Sequence, residues 1–277
     1  FGPIFVAMIE VGENTGNLDA AFSQVAYYLD LERETKKRIK SATRYPSIVV
    51  IAVAVAVTVI NIFVIPAFSS VFEKFGADLP LMTKILVASS DFTVNYGWIV
   101  VVGAVVGFVA LKKGLATAEG RIRWDRLKLR LPLVGGIFER IVLARFARVF
   151  SMLSAAGVPI LAAITQVARA AGNAHVQQKI QAMHHSIERG DSFHRTAMAS
   201  HMFTPLVLQM ISVGEETGQL DEMLGEVAQF YEEEVDYDLK KLGDAIEPIL
   251  LLFMGGLVLV LALGVFLPMW DLTSQAG

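Results

Sequence analysis

The chain is 277 residues long, 54% hydrophobic and only 18% charged, with a mean hydropathy of +0.54 and a net charge of −3. Soluble proteins sit nearer about 45–50% apolar and about 25% charged, so the excess apolar surface points to a lipid bilayer. There is no cysteine, which excludes a disulfide framework, a thiolate nucleophile, an iron–sulfur cluster and a zinc–thiolate site.

Residues 1–45 open with FGPIFVAMIEVGENTG, which reads as a helix and then a corner. Pro3 suits a first helical turn, where no N–H bond is lost. Gly16 suits the left-handed conformation that ends a helix. The next helix starts near Asn17, so Asp19 falls in its first turn, beside the positive end of the macrodipole. Phe22, Val25, Ala26 and Leu29 follow at helical spacing. Arg33, Lys36, Lys37, Arg38, Lys40 and Arg44 then lead up to a first membrane span, 46–66. Its first 20 residues, 46–65, carry no charge and one amide, Asn61, and about 20 apolar residues cross a bilayer core as a helix. Residues 67–95 form a loop whose only cations are Lys74 and Lys84. The second span is 96–111, where Gly103 and Gly107 make a GxxxG pair that lets membrane helices approach closely.

Residues 112–247 are helical by pattern. They begin with the cations Lys112, Lys113, Arg121, Arg123, Arg126, Lys128 and Arg130. Helices are predicted over 137–156, 159–171 and 174–189, and Asp191 and Ser192 cap a fourth. Two helices around a second corner, near Gly218, complete a compact bundle of about six helices. The third span is 248–267, again uncharged, with Gly255, Gly256 and Gly264 thinning one side. The tail 268–277 has no Lys or Arg. Cations accumulate on the cytoplasmic side of a membrane, so 1–45 and 112–247 are expected inside and 67–95 and 268–277 in the periplasm. At Tyr45–Pro46 and Glu247–Pro248 a kink or restart is expected where helix meets bilayer. The predicted fold class is an all-α membrane protein, with three transmembrane helices and cytoplasmic helical bundles in tandem repeat.

The repeat is visible in the letters. VGENTGNLD at 11–19 returns as VGEETGQLD at 213–221, an offset of 213 − 11 = 202 that also pairs Pro3 with Pro205, Pro46 with Pro248 and Pro66 with Pro268. Gly218 and Asp221 therefore repeat the roles of Gly16 and Asp19. Glu13 and Glu215 admit three readings: bracing the turn by accepting its N–H groups, holding a hard cation with Glu216 or Asp221, or touching a partner protein. Copy one lacks the lead-in that precedes copy two, 202 − 111 = 91 residues. The expectation is thus an N-terminally truncated chain, with 1–45 the C-terminal half of a first cytoplasmic bundle.

No phosphate-cradling loop, HExxH or GxSxG occurs. The histidines are His175, His184, His185, His194 and His201; His184 and His185 are adjacent and so point to different faces of a helix, a poor chelating pair. The sequence offers no catalytic, cofactor or metal site. The spans carry no Asp, Glu, Lys, Arg or His, which argues against a transporter or an intramembrane protease.

Taken with AAGVPIL at 155–161, IERGDSF at 187–193, IEP at 246–248 and FLPMWDL at 266–272, the paired VGE-x-TG-x-LD motif resembles the type II secretion F family, the inner-membrane platforms of type II secretion systems and type IV pili. The ending ALGVFLPMWDL is most similar to the mannose-sensitive haemagglutinin pilus branch. The resemblance implies a non-enzymatic platform in the bacterial inner membrane that couples a cytoplasmic hexameric ATPase to polymerisation of pilins or pseudopilins. It implies other inner-membrane assembly proteins and further copies of itself as partners, and no nucleic acid.

Overall fold

The computed structural model describes residues 3–16, 18–67, 81–132 and 134–275. Among them the regular structure is entirely helical. In order the helices are α1 (Pro3–Thr15), α2 (Leu18–Val59) running into a π-helical segment (Ile60–Val64), α3 (Leu81–Ala116), α4 (Ala118–Lys128), α5 (Gly135–Ala155), α6 (Ile160–Ala170), α7 (Ala174–Glu188), α8 (Phe193–Ser200), α9 (Pro205–Thr217) and α10 (Leu220–Gln275). Residues 68–80 of the predicted loop, Asn17 and the last two residues of the tail lie outside the described residues.

The chain forms two compact units, one from Phe1–Ile39 with Gly114–Lys240 and one from Lys40–Lys113 with Lys241–Gly277. The first unit is a helical bundle around a continuous apolar core. Phe146 and Phe150 stack on one face of α5 with ring centres 6.2 Å apart, and Phe150 stacks on Phe193 of α8 at 5.0 Å. Ile164 and Val167 of α6, Ile180 and Met183 of α7, Val207 and Ile211 of α9, and Leu224 and Ala228 of α10 close around them. Each helix buries positions three or four apart, the stripe that a 3.6-residue period predicts. Ile4 and Met8 of α1 and Val25 and Tyr28 of α2 belong to the same core, so the helix pair of copy one packs with the bundle of copy two. Local signals set the helix starts. The Asn173 side chain accepts the Val176 N–H at 3.0 Å and the Ser192 hydroxyl accepts that of Arg195 at 3.2 Å. Helix α4 lies in the stretch predicted helical, without bounds of its own there; it starts after Thr117, whose hydroxyl accepts the Gly120 N–H at 3.1 Å.

The second unit holds the apolar lengths of α2, α3 and α10. These are three helices long and apolar enough to cross a membrane. Leu252 is 82% exposed and Phe108 69% exposed, apolar surface that water would not tolerate over such a length. Helix α3 begins at Leu81, well before the predicted 96. Ser89 and Thr93 donate their hydroxyls to the carbonyls of Leu86 and Ser89, both at 2.8 Å, so these polar residues cost the helix less than hydropathy suggests. Asn61, in the π-helical segment, donates its amide to the Val57 carbonyl at 3.0 Å and accepts the Ser90 hydroxyl on its carbonyl, while its side-chain oxygen, 3.0 Å from the Ser89 hydroxyl, shares that one proton with the Leu86 carbonyl. Helices α2 and α10 pass through Pro46 and Pro248 with no restart. A proline removes one rung of the ladder, and the turns on either side keep the helix continuous. Beside Pro46, the Ser47 hydroxyl donates to the Thr43 carbonyl at 2.7 Å.

Candidate functional site

The repeated nonapeptide builds the corner between α9 and α10. Gly218 ends α9 at φ +75°, a left-handed turn, and its N–H donates to the Gly214 carbonyl. The N–H of Gln219 donates to the same carbonyl at 2.9 Å. Leu220 then folds back onto the helix it has just left. A Cβ on Gly214 would lie 3.0 Å from the Leu220 Cα and 3.2 Å from its Cδ2, so a larger residue there would press the turn outward by a few tenths of an ångström. Replacing Gly218 by valine is expected to destabilise the bundle by roughly 1 kcal/mol or more, because a β-branched residue tolerates positive φ badly; thermal melting of the detergent-solubilised chain reads it.

Glu215 reaches out of the corner to another helix. Its Oε1 accepts the Phe193 N–H at 2.7 Å and its Oε2 accepts the His194 N–H at 2.8 Å. These are the first two N–H groups of α8, and Ser192 takes the third. One carboxylate thus joins VGEETGQLD to IERGDSF, at the positive end of a helix. In copy one, Gly16 has φ +70° and donates to the Glu13 carbonyl at 3.4 Å. The Glu13 side chain is exposed. Asp19 and Asp221 occupy the first turns of α2 and α10, and the Asp221 carbonyl accepts the Ser151 hydroxyl at 2.7 Å. A Cβ on Gly103, Gly107, Gly255 or Gly256 would meet nothing within 4 Å among the described residues.

A second locus was not singled out in the sequence. Arg140, Arg145 and Arg148 project from α5 between the cytoplasm-predicted lengths of α2 and α10. Arg148 forks onto Glu232 of α10, with Nε and Nη2 at 2.9 and 2.8 Å, and lies 5.7 Å over the Tyr27 ring of α2. Arg145 meets Glu32 of α2 at 3.5 Å. Arg140 meets Glu234 at 3.6 Å and also binds Asp238. Arg38 of α2 binds Asp236 of α10 directly. The Arg38–Asp236, Arg145–Glu32 and Arg148–Glu232 pairs line a cleft of about 450 Å³. Burial pushes the Tyr28 hydroxyl up to about 12; Glu32 adds to the rise and Arg145 opposes it. Arg148 is held still more firmly protonated by its bonds to Glu232, against its own burial. The arrangement is an electrostatic clasp joining α2, α5 and α10. The signal for it was the acidic run EEEVDYD at 232–238 facing three arginines on one helix, but the partners are too distant in sequence for periodicity to pair them.

The histidines sit on the bundle. His184 and His185 come together with Glu188, their ligand-type atoms within 4.8 Å of one another on the outside of α7. His175 has its pKa pushed below the ordinary value, first by burial and then by Lys179, Arg126 and Arg130. A depressed folded-state pKa means that the unfolded chain takes up the proton first. The contribution of His175 is therefore fully present above the unfolded value and is lost as pH falls. Between pH about 7.5 and about 5.5 the chain is expected to lose more melting temperature than its His175→Asn variant does.

Comparison with known proteins matches residues 1–66 and 146–268 to the family described as Type II secretion system (T2SS), protein F. The chain is 38% identical to the type IV pilus assembly protein PilC of Thermus thermophilus, over 98% of its own length and 67% of that protein. It is 33% identical to the protein of the same name from Pseudomonas aeruginosa, over 100% of its length and 74% of that protein. It is 31% identical to the type II secretion system protein F of Pseudomonas aeruginosa, over 100% of its length and 68% of that protein.

Proposed function

The chain belongs to the type II secretion system protein F family, and from that premise we propose that it is an inner-membrane platform coupling a cytoplasmic assembly ATPase to polymerisation of pilins or pseudopilins. The spans 46–66, 96–111 and 248–267 cross the membrane. The segments 1–45 and 112–247 face the ATPase from the cytoplasm, while 67–95 and 268–277 face the periplasm. The observation that carries the coupling is the clasp. Helices α2 and α10 each change from polar to apolar without a break, and their polar lengths are tied to each other by Arg38 and to α5 by Arg145, Arg148 and Arg140. A displacement at the bundle would pass into lipid along these two continuous helices. The corner residues Glu13, Gly16, Asp19, Glu215, Gly218 and Asp221 fix the angle at which these helices leave their bundles. Gly103, Gly107, Gly255 and Gly256, open to their surroundings, are the faces on which copies of the platform or other assembly proteins pack.

The pilus-named relatives at 38% and 33% identity favour a pilus machine over a secretion machine at 31%. Cross-linking on intact membranes tests the proposal. The cytoplasmic face should capture a hexameric ATPase and the spans should capture pilins, and deletion should abolish fibres. Ion flux or substrate turnover by the purified chain alone in liposomes would overturn it.

A further inference from the structure

We propose that His184, His185 and Glu188 form a site for a divalent transition metal of the zinc type on the outside of α7. All three residues belong to one helix, so that helix alone sets the site. A helix turns about 100° per residue, and Glu188 comes four positions after His184 and three after His185. Glu188 therefore stands about 40° round the helix from the first histidine and about 60° from the second, between the two. The adjacent imidazoles diverge as a pair, and the carboxylate one turn on supplies the centre toward which both can swing.

The side chains are turned that way. The Nδ1 atoms of His184 and His185 lie 3.9 and 3.7 Å from Glu188 Oε2, and one donor atom from each of the three residues falls within 4.8 Å of the others. Both distances are too long for a hydrogen bond, so the three donors converge without satisfying one another. Two ligands of a tetrahedral zinc, each at about 2.0–2.1 Å, stand about 3.3 Å apart, so each imidazole must approach the carboxylate by only about half an ångström. Side-chain rotation supplies that movement, since His185 is 70% and Glu188 60% exposed. No lysine or arginine among the described residues pairs with Glu188. The neighbouring Arg189 is drawn to the Ser186 hydroxyl at 3.2 Å, two positions back and so on the far side of the helix from Glu188. Glu188 is also the last residue of α7, where the negative end of the macrodipole favours a cation. Two imidazoles and a carboxylate suit zinc, copper or nickel, whereas calcium and magnesium take oxygen donors. Three protein ligands leave a fourth position for water or a further side chain.

Zinc titration of the full solubilised chain, purified without a polyhistidine tag and in a buffer that does not chelate metal, tests this. Calorimetry should give one zinc per chain, and excess calcium or magnesium should not displace it. His184→Gln, His185→Gln and Glu188→Gln should each weaken the affinity by at least about tenfold, since loss of even an outer-shell partner of a metal site costs that much. His194→Gln, on another helix, should leave it unchanged. Melting without metal should match the parent in every variant; His185→Gln, at the most exposed of the three positions, carries the test if another variant melts early. A parent chain that takes up no zinc overturns the site. So does an affinity that survives His185→Gln, because the metal is then held elsewhere. Loss with the histidine variants but not with Glu188→Gln overturns the three-donor set, and displacement by calcium overturns the choice of a transition metal.

Discussion

Glu215→Ala is expected to lower the unfolding free energy of the bundle by about 2–3 kcal/mol, read by thermal or denaturant melting of the solubilised chain. The carboxylate fills two of the first N–H positions of α8, at 2.7 and 2.8 Å, lengths typical of charge-assisted bonds. Removing it leaves both donors without a partner, and Phe193, which carries one of them, is only 1% exposed. An eight-residue helix has few other bonds with which to compensate. Glu215→Gln keeps one good acceptor oxygen and should recover roughly half of the loss. Glu215→Asp keeps the charge but is one methylene too short to span both donors, so it should fall near the glutamine variant. If alanine melts like the parent, the link between the two motifs is not what holds α8. A loss of the alanine size with glutamine fully neutral would mean that shape, and not charge at the helix end, is what matters.

This residue also shows how far the letters could be read. The corner itself is local, since Gly218 follows from the need for positive φ after a helix, and its turn lies within the nonapeptide. The partner of Glu215 is not local. Bracing of turn N–H groups was one of three readings, and the N–H groups it takes belong to a helix that starts 22 positions earlier in the chain. Gly214 escaped notice because its reason is steric: a Leu220 backbone that comes within 3.0 Å of where a Cβ would stand. The bounds of α4 are hard to draw within the stretch read as helical because RIRWDRLK is too charged to show an apolar stripe, its inner face being held by Asp125 and not by aliphatic side chains. The three apolar lengths were legible, since spanning a bilayer writes itself as an uninterrupted run, whereas the start of α3 was hidden by hydroxyls that bond back into their own helix.

The clasp predicts a separation of stability from function. Arg148→Ala strands the Glu232 carboxylate, and because the pair is 15% and 21% exposed, the loss should be about 2–3 kcal/mol, below the 3–5 kcal/mol of a fully buried pair. The double variant Arg148→Met with Glu232→Leu removes both charges at similar volume, and most of that stability should return. If the pair only glues the bundle, fibre assembly in cells should return with it. If it fixes how α10 follows α5 and Tyr27 of α2, assembly should stay at least about tenfold below the parent, because an apolar contact has no preferred register and lets the two helices slide by fractions of a turn, whereas a forked guanidinium–carboxylate pair fixes both distance and plane. Melting temperature and fibre count in the same cells decide between these outcomes. Arg148→Lys sharpens the test, since it keeps the charge and loses the fork: a platform that depends on register should fail with lysine almost as it fails with methionine, while one that depends on charge alone should not.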